Sequence, residues 1–212
     1  MKVLIVLAHP EPKSLNGSLK DVAAQALREN NHEVKVSDLY DMGFKATLDR
    51  KDFLNLQNPD RFNPITEQLH AAQTDGFAPD IKAEMEKIEW ADLLILQFPI
   101  WYGGMPAILK GWMERVFASG FSSDMFQGKI YDKGLLKGKK AMLSFTTGGA
   151  EENYYMDLPD KDPASLLPVI TENLKFSGFE VLKPFMIFGA IMLSEEDAEK
   201  HFVEYKKRIG EL

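Results

Sequence analysis

Short apolar runs separated by helical segments recur along this chain, and that alternation limits the folds open to it. Val3 to Ala8 is a continuous apolar run rich in β-branched residues, which reads as a strand buried on both faces, as strands of parallel sheets are. A polar, proline-containing loop follows from His9 to Asn16. Gly17 to Glu29 then carries Leu19, Val22, Ala23, Ala26 and Leu27 at helical spacing, and Glu33 to Asp38 alternates as a short strand. The rhythm returns after residue 80. Ile81 to Glu89 reads as a helix, Asp92 to Phe98 as the most apolar strand after the first, and Ala107 to Phe117 as a helix with Pro106 at its start. Lys140 to Phe145 reads as a strand and Pro163 to Lys175 as a helix. Phe179 to Phe188 reads as a last strand interrupted at Pro184, and Ser194 to Ile209 as a last helix opened by a cap from Ser194 to Asp197. Five strands alternating with helices predict an α/β fold, a doubly wound five-stranded parallel sheet with helices on both faces.

Residues 41 to about 80 break the pattern. They are polar and aromatic, hold Pro59, Pro64 and Pro79, and show one short helical stretch near Glu67 to Gln73. A connection of that length is usually functional or an interface, and this one is too small and too polar to form a unit of its own. A single domain over 1–212 is the expectation, with 41–80 as an insertion. The 212 residues can bury a large core without disulfides, and there is no cysteine for a thiolate metal site or nucleophile. The six-residue apolar start is too short for a signal peptide, and no run approaches the ~18 apolar residues of a membrane span. A cytoplasmic protein without membrane insertion is expected. The formal net charge is −7 and the basic clusters, Lys137 to Lys140 and Lys206 to Arg208, are short. A nucleic-acid partner is therefore not expected, whereas a small anionic ligand remains compatible with the chain.

In open α/β sheets ligands bind beyond the carboxyl ends of the strands, where the strand order reverses. Three loops occupy such ends. The first, His9 to Ser18, lacks both the G-x-G-x-x-G and the Walker A patterns, but it sets Ser14, Asn16, Ser18 and free backbone amides at a helix N-terminus. Such a terminus favours anions by about 0.3–1 kcal/mol when exposed and up to ~2 when partly buried. Ordinary N-capping explains the same residues, and His9 taken alone reads better as a core histidine. The second loop, Phe98 to Pro106, places Trp101 and Tyr102 beside Gly103 and Gly104, where they either wall a flat ring or pack over the next helix. The third, Thr146-Thr147-Gly148-Gly149 continuing to Tyr154, permits close backbone approach to a planar ligand or forms a plain turn.

QFPIWYGGMPAILKGWMERVF (Gln97 to Phe117), VLIVLAHPEPKSLNGSLK at the start, KKAMLSFTTGG, and the stretch SDLYDMGFKATLDRKDF through FAPDI together carry a resemblance. They resemble the NAD(P)H:quinone oxidoreductases of mammalian type, over nearly the whole chain. The resemblance implies a flavodoxin-like fold with strand order 2-1-3-4-5 and a homodimeric flavoprotein that moves two electrons as hydride in a ping-pong cycle. It implies FAD in preference to FMN, NAD(P)H as co-substrate, and a quinone or similar aromatic acceptor. By position, His9, Ser14, Leu15 and Asn16 match the residues holding the flavin pyrophosphate region. Pro99, Ile100, Trp101, Tyr102 and Gly103 match those around the isoalloxazine, Thr146, Thr147, Gly148 and Gly149 match those at its polar edge, and Asn63 matches a glutamine at the adenine half. Tyr154, with Tyr102, occupies a catalytic position, and Glu114 and Arg115 match a pair near the cofactor.

The chain also departs from that family. It has no histidine in Tyr155 to Asp160, where the family has a catalytic one, so water or Asp160 is left to relay protons. Gly103 replaces an aromatic, and the family's C-terminal extension is missing. Dimerisation is expected through the aromatics Phe44, Phe53 and Phe62, taken as exposed. Two other readings stay open: a one-electron carrier of flavodoxin type, and a redox-sensing regulatory subunit of a potassium efflux system.

Overall fold

A computed structural model describes residues 1–154 and 166–212. Its parallel sheet follows the expected order. The strand β1 (Lys2–Leu7) lies between β2 (Glu33–Asp38) and β3 (Leu93–Pro99), and β4 (Lys140–Thr146) lies outside β3. The expected last strand is two strands, β5 (Glu180–Val181) and β6 (Phe185–Ile187), both paired with β4. Proline has no N–H for a ladder, so the chain bows out around Pro184 and rejoins β4 beside Ser144 to Thr146. The helices are α1 (Leu15–Glu29), α2 (Pro64–Thr74), α3 (Pro79–Trp90), α4 (Ala107–Val116), α5 (Pro168–Phe176) and α6 (Glu195–Gly210). Proline occupies the first turn of α2, α3 and α5, where its missing N–H costs nothing. The proposed helix start at Pro163 and the Tyr155 to Asp160 stretch lie outside the described residues, and α5 begins at Pro168.

Alternation along the strands sorts the core into two layers. Val3 and Ile5, Leu93 and Ile95, and Met142 face α1 and α6 together with Leu19, Leu27, Tyr205 and Ile209. Leu4, Val6, Leu94, Leu96, Phe98, Leu143 and Phe145 face α3, α4 and α5, around the fully buried Trp112. Each such aliphatic side chain contributes about 1.5–3 kcal/mol on burial. Trp112 Nε1 donates to the buried Glu84 carboxylate at 2.9 Å, and Lys87 pairs with that carboxylate.

The 41–80 segment corrects an expectation. Phe44 and Phe53 are buried, and Phe62 is half-buried against the same core, so these rings do not form an exposed dimer patch. Arg115 of α4 pins the segment down. Its Nη2 pairs with Asp52 at 3.0 Å and Asp80 at 2.7 Å, its Nη1 donates to the Lys45 carbonyl at 2.9 Å, and its guanidinium lies 4.7 Å from the centre of the Phe44 ring. Burial opposes the Arg115 charge, but the Asp52 and Asp80 hydrogen bonds outweigh it and hold its pKa above the usual value. Arg115 therefore secures the insertion, and it does not line the strand-tip cleft of its own chain. Glu114 lies on the surface with Lys110. A side chain on Gly111 of α4 would meet the Ala46 carbonyl oxygen at 1.8 Å, so only glycine admits the segment this close.

Candidate functional site

The three nominated loops meet in one cleft of about 430 Å³ at the carboxyl ends of β1, β3 and β4. That volume falls within the range of small-molecule and cofactor sites. From the first loop come His9, Ser14, Leu15 and Asn16, from the second Pro99, Ile100, Trp101 and Tyr102, and from the third Thr146, Thr147, Gly148 and Tyr154. Gly103, Gly149 and Asn63 do not line it. Gly103 belongs to the turn that carries Tyr102. Gly149 sits behind the third loop, its carbonyl accepting from Thr147 Oγ1 at 2.8 Å and from the Gly189 amide at 2.8 Å. Asn63 caps α2, its Oδ1 accepting from the Ile65 amide at 3.1 Å.

Local chemistry explains each loop. Ser14 is the N-cap of α1: its Oγ accepts from the Gly17 amide at 3.1 Å, which fixes the turn. Leu15 and Asn16 are then the first helical residues, and their amides have no partner within the helix. The first turn of α1 carries no acidic residue, so nothing competes with an anion for the positive end of the helix. Gly17 is required there, because a Cβ would lie 2.0 Å from the Pro12 carbonyl oxygen. His9 is half-buried and is not a core histidine. Its Nδ1 accepts from the Glu11 amide at 3.0 Å, and its ring lies 5.8 Å from Trp101.

Trp101 and Gly104 exchange backbone hydrogen bonds of 2.9 and 3.1 Å across a two-residue turn. Tyr102 and Gly103 both have positive φ, 50° and 76°, as the tight hairpin turn demands. A left-handed tyrosine costs ~1–2 kcal/mol, and such outliers collect at functional sites. The turn holds Trp101 partly open and leaves the Tyr102 ring fully exposed at the cleft mouth. Across the cleft, the Tyr154 ring lies 5.8 Å from Phe188.

The sequence reading missed Ala190 and Ile191, which also line the cleft. The Gly189 and Ala190 amides bond the Gly149 and Thr147 carbonyls at 2.8 Å each, which carries the β4–β6 pairing into the loop. Ile191, 82% exposed, reaches over Gly148, whose Cβ would meet its Cδ1 at 3.0 Å. The signal was the apolar Phe188 to Leu193 stretch directly after a strand. The sequence nominates only the loops after the first, third and fourth strands, and this stretch follows the last one. Beneath the cleft the sheet face turns polar: Gln97 Nε2 donates to Asn16 Oδ1, and Asn16 Nδ2 donates to Thr146 Oγ1, both at 2.9 Å. No cluster of three or more potential metal ligands exists among the described residues, and no helix among them is long and apolar enough to cross a membrane.

The fold agrees with known proteins. A family model described as having a flavodoxin-like fold matches residues 1–212. Ribosyldihydronicotinamide dehydrogenase [quinone] of Mus musculus is 44% identical over 210 residues, covering 98% of this chain and 90% of its own. NAD(P)H dehydrogenase [quinone] 1 of Cavia porcellus is 41% identical over 210 residues, covering 98% of this chain and 76% of its own. A solved Klebsiella pneumoniae structure, provisionally described as a quinone reductase, superposes with a TM-score of 0.90 at 38% identity, over 99% of this chain and 83% of that one. With its sheet order, its strand-tip cleft and these relatives spanning nearly all of it, the chain belongs to the flavodoxin-like-fold family of oxidoreductases that includes the quinone dehydrogenases.

Proposed function

We propose that the chain is a flavin-dependent NAD(P)H:quinone oxidoreductase. The observation that carries this is the meeting of all three loops in one cleft of cofactor size, in a chain 44% identical to a quinone dehydrogenase along almost its full length. The residues present fit a flavin. The first-turn amides of α1 and the Ser14 cap suit its phosphate end. Pro99, Ile100, Trp101 and Tyr102 supply an apolar, partly aromatic wall for the rings, and Thr146, Thr147 and Gly148 supply hydroxyls and backbone for their polar edge. A bound flavin supplies two-electron chemistry, taking hydride from a dihydronicotinamide and passing the electrons to a quinone. The chain's part is to orient the rings and to place donors where negative charge develops. Tyr154 presents its hydroxyl as such a donor. Trp101, Tyr102 and Ile191 form the open mouth through which flat donors and acceptors exchange. The proposed proton relay through Asp160 lies outside the described residues.

FAD is the preferred flavin and a homodimer the preferred assembly, in the cytoplasm. Asn63 does not line the cleft of its own chain, so a role at the adenine half requires a second copy. The decisive measurement is the visible spectrum of the purified protein, followed by NAD(P)H addition under argon. A flavin spectrum that bleaches and returns on adding quinone is expected. A colourless protein that takes up neither FAD nor FMN overturns the proposal. Tyr154→Phe is expected to slow flavin reduction about 10- to 100-fold, the worth of one hydrogen bond to a charged group; an unchanged rate removes that role.

A second reading of the donor comes from the relatives. The ribosyldihydronicotinamide dehydrogenase of Mus musculus is 44% identical to this chain and the Cavia porcellus NAD(P)H enzyme 41%. Comparing kcat/KM for NADH, NADPH and ribosyldihydronicotinamide separates the two.

A further inference from the structure

Gln97 is a polar residue where the fold calls for an apolar one. It lies in β3, on the face that Leu93 and Ile95 present to α1 and α6, and it is fully buried. A broken local pattern of this kind is expected where function requires it. Gln97 does not line the cleft, but its Nε2 donates to Asn16 Oδ1 at 2.9 Å, and Asn16 Nδ2 donates in turn to Thr146 Oγ1 at 2.9 Å. Asn16 and Thr146 both line the cleft, from opposite loops.

The direction of this chain of hydrogen bonds has a chemical consequence. With Asn16 Oδ1 committed to Gln97, the amide end of Asn16 must face Thr146. Thr146 Oγ1, accepting from Asn16, keeps its own O–H to donate, and Asn16 keeps a second N–H. Reversed, Asn16 would offer its carbonyl to Thr146 and consume that hydroxyl. At the far end the Tyr205 hydroxyl donates to Gln97 Oε1 across 3.5 Å, a long and weak bond. Burial pushes the Tyr205 phenol above its usual pKa, so it stays neutral.

We propose that Gln97 is a positioning residue: through Asn16 it orients Asn16 and Thr146 as hydrogen-bond donors toward the polar parts of the flavin, and so sets flavin affinity from outside the cleft. This rests on the flavin reading above. Its ligand partners are the acceptor atoms of a flavin, its carbonyl edge or its phosphate.

The test is fluorescence titration of the apoprotein with FAD, with thermal unfolding of the same apoprotein samples. Gln97→Met keeps the volume and removes the donor. Its FAD dissociation constant is expected to rise roughly tenfold, the scale of coupling between residues sharing one network. Asn16→Leu should raise it at least as much, and Gln97→Met placed in the Asn16→Leu background should raise it no further. Additive losses would show that Gln97 does not act through Asn16 and would overturn the proposal. So would a Gln97→Met protein that melts earlier but binds FAD with wild-type affinity, which is the signature of a purely structural residue. If Gln97→Met does not fold, Tyr205→Phe carries the test: a rise of about threefold supports the proposal and an unchanged constant overturns it. A wild-type chain that takes up no FAD overturns this proposal together with the flavin reading. Wild-type binding with an unchanged Gln97→Met removes this proposal alone.

Discussion

Two clusters of buried polar groups hold this molecule together, and they differ in kind. Below the 41–80 segment, Arg115 is enclosed by Asp52, Asp80, the Lys45 carbonyl and the Phe44 ring, and Lys45 itself reaches Asp52 at 2.6 Å and Asp49 at 2.8 Å. That cluster is ionic, and its charges answer each other. Below the cleft, Gln97, Asn16 and Thr146 form a neutral row that ends on two residues facing a cavity. A closed ionic cluster fixes where a segment sits, whereas an open neutral row leaves donor capacity for something else to use. Substitutions that treat the two alike should therefore produce different losses.

Arg115→Met should give the largest effect. It leaves Asp52, 1% exposed, with Lys45 as its remaining charged partner, so the loss should lie toward the lower end of the about 3–5 kcal/mol that breaking a buried pair costs. Denaturant unfolding reads that loss. FAD affinity of the folded protein should not change. A shifted FAD constant at unchanged stability would place Arg115 at the cofactor, as the family resemblance implies.

The same glycine-to-alanine change made in each region sharpens the contrast. A Cβ at Gly111 meets the Ala46 carbonyl oxygen at 1.8 Å, and one at Gly17 meets the Pro12 carbonyl oxygen at 2.0 Å. Backbone must move in both cases, at a cost of roughly 1–3 kcal/mol. Gly111→Ala should lower stability and leave FAD binding intact. Gly17→Ala should do both, because the displaced loop carries the amides of Leu15 and Asn16. Equal FAD affinities in the two variants would break the division of labour argued here.

The sheet order and the cleft were legible in the sequence because they depend on periodicity and on loops at strand ends. Val3 to Ala8 and Asp92 to Phe98 have few alternatives to buried strands, and once they are parallel neighbours the loops after them must converge. Three features were not legible. Phe44 and Phe53 sit among polar residues, so nothing local distinguishes a buried ring from an exposed one, and their burial comes from Arg115 closing the segment onto α4. Nothing in the sequence next to Arg115 shows its ionic partners, which come from positions 35 and 63 residues away. Ile191 reaches the cleft only because Pro184 breaks the last strand and lets its second half pair beside Ser144 to Thr146.

Alkaline titration separates the clusters by their chemistry. The folded-state pKa of Tyr205 is raised from the usual 10.0, mainly by burial. A raised folded pKa contributes stability that is fully present below the unfolded value and is lost as pH rises above it. Unfolding free energy should therefore fall above pH 10, by about 1.4 kcal/mol per pH unit from this group. Tyr205→Phe should remove that component of the slope between pH 10 and 11. An unaltered slope would mean that the phenol is hydrated in the folded protein and does not cover Gln97.

The smallest effect comes from two serines that do the same local work in different places. Ser14 caps α1 by accepting from the Gly17 amide at 3.1 Å, and Ser194 caps α6 by accepting from the Asp197 amide at 3.1 Å. Replacing either with alanine should cost about 1 kcal/mol of stability, the typical worth of an N-cap. Only α1 points its first turn into the cleft, so only Ser14→Ala should also weaken FAD binding, while Ser194→Ala serves as a control of matched stability. If the two variants bind FAD alike, the start of α1 is a capped helix end and nothing more, and the phosphate grip must come from another part of the cleft.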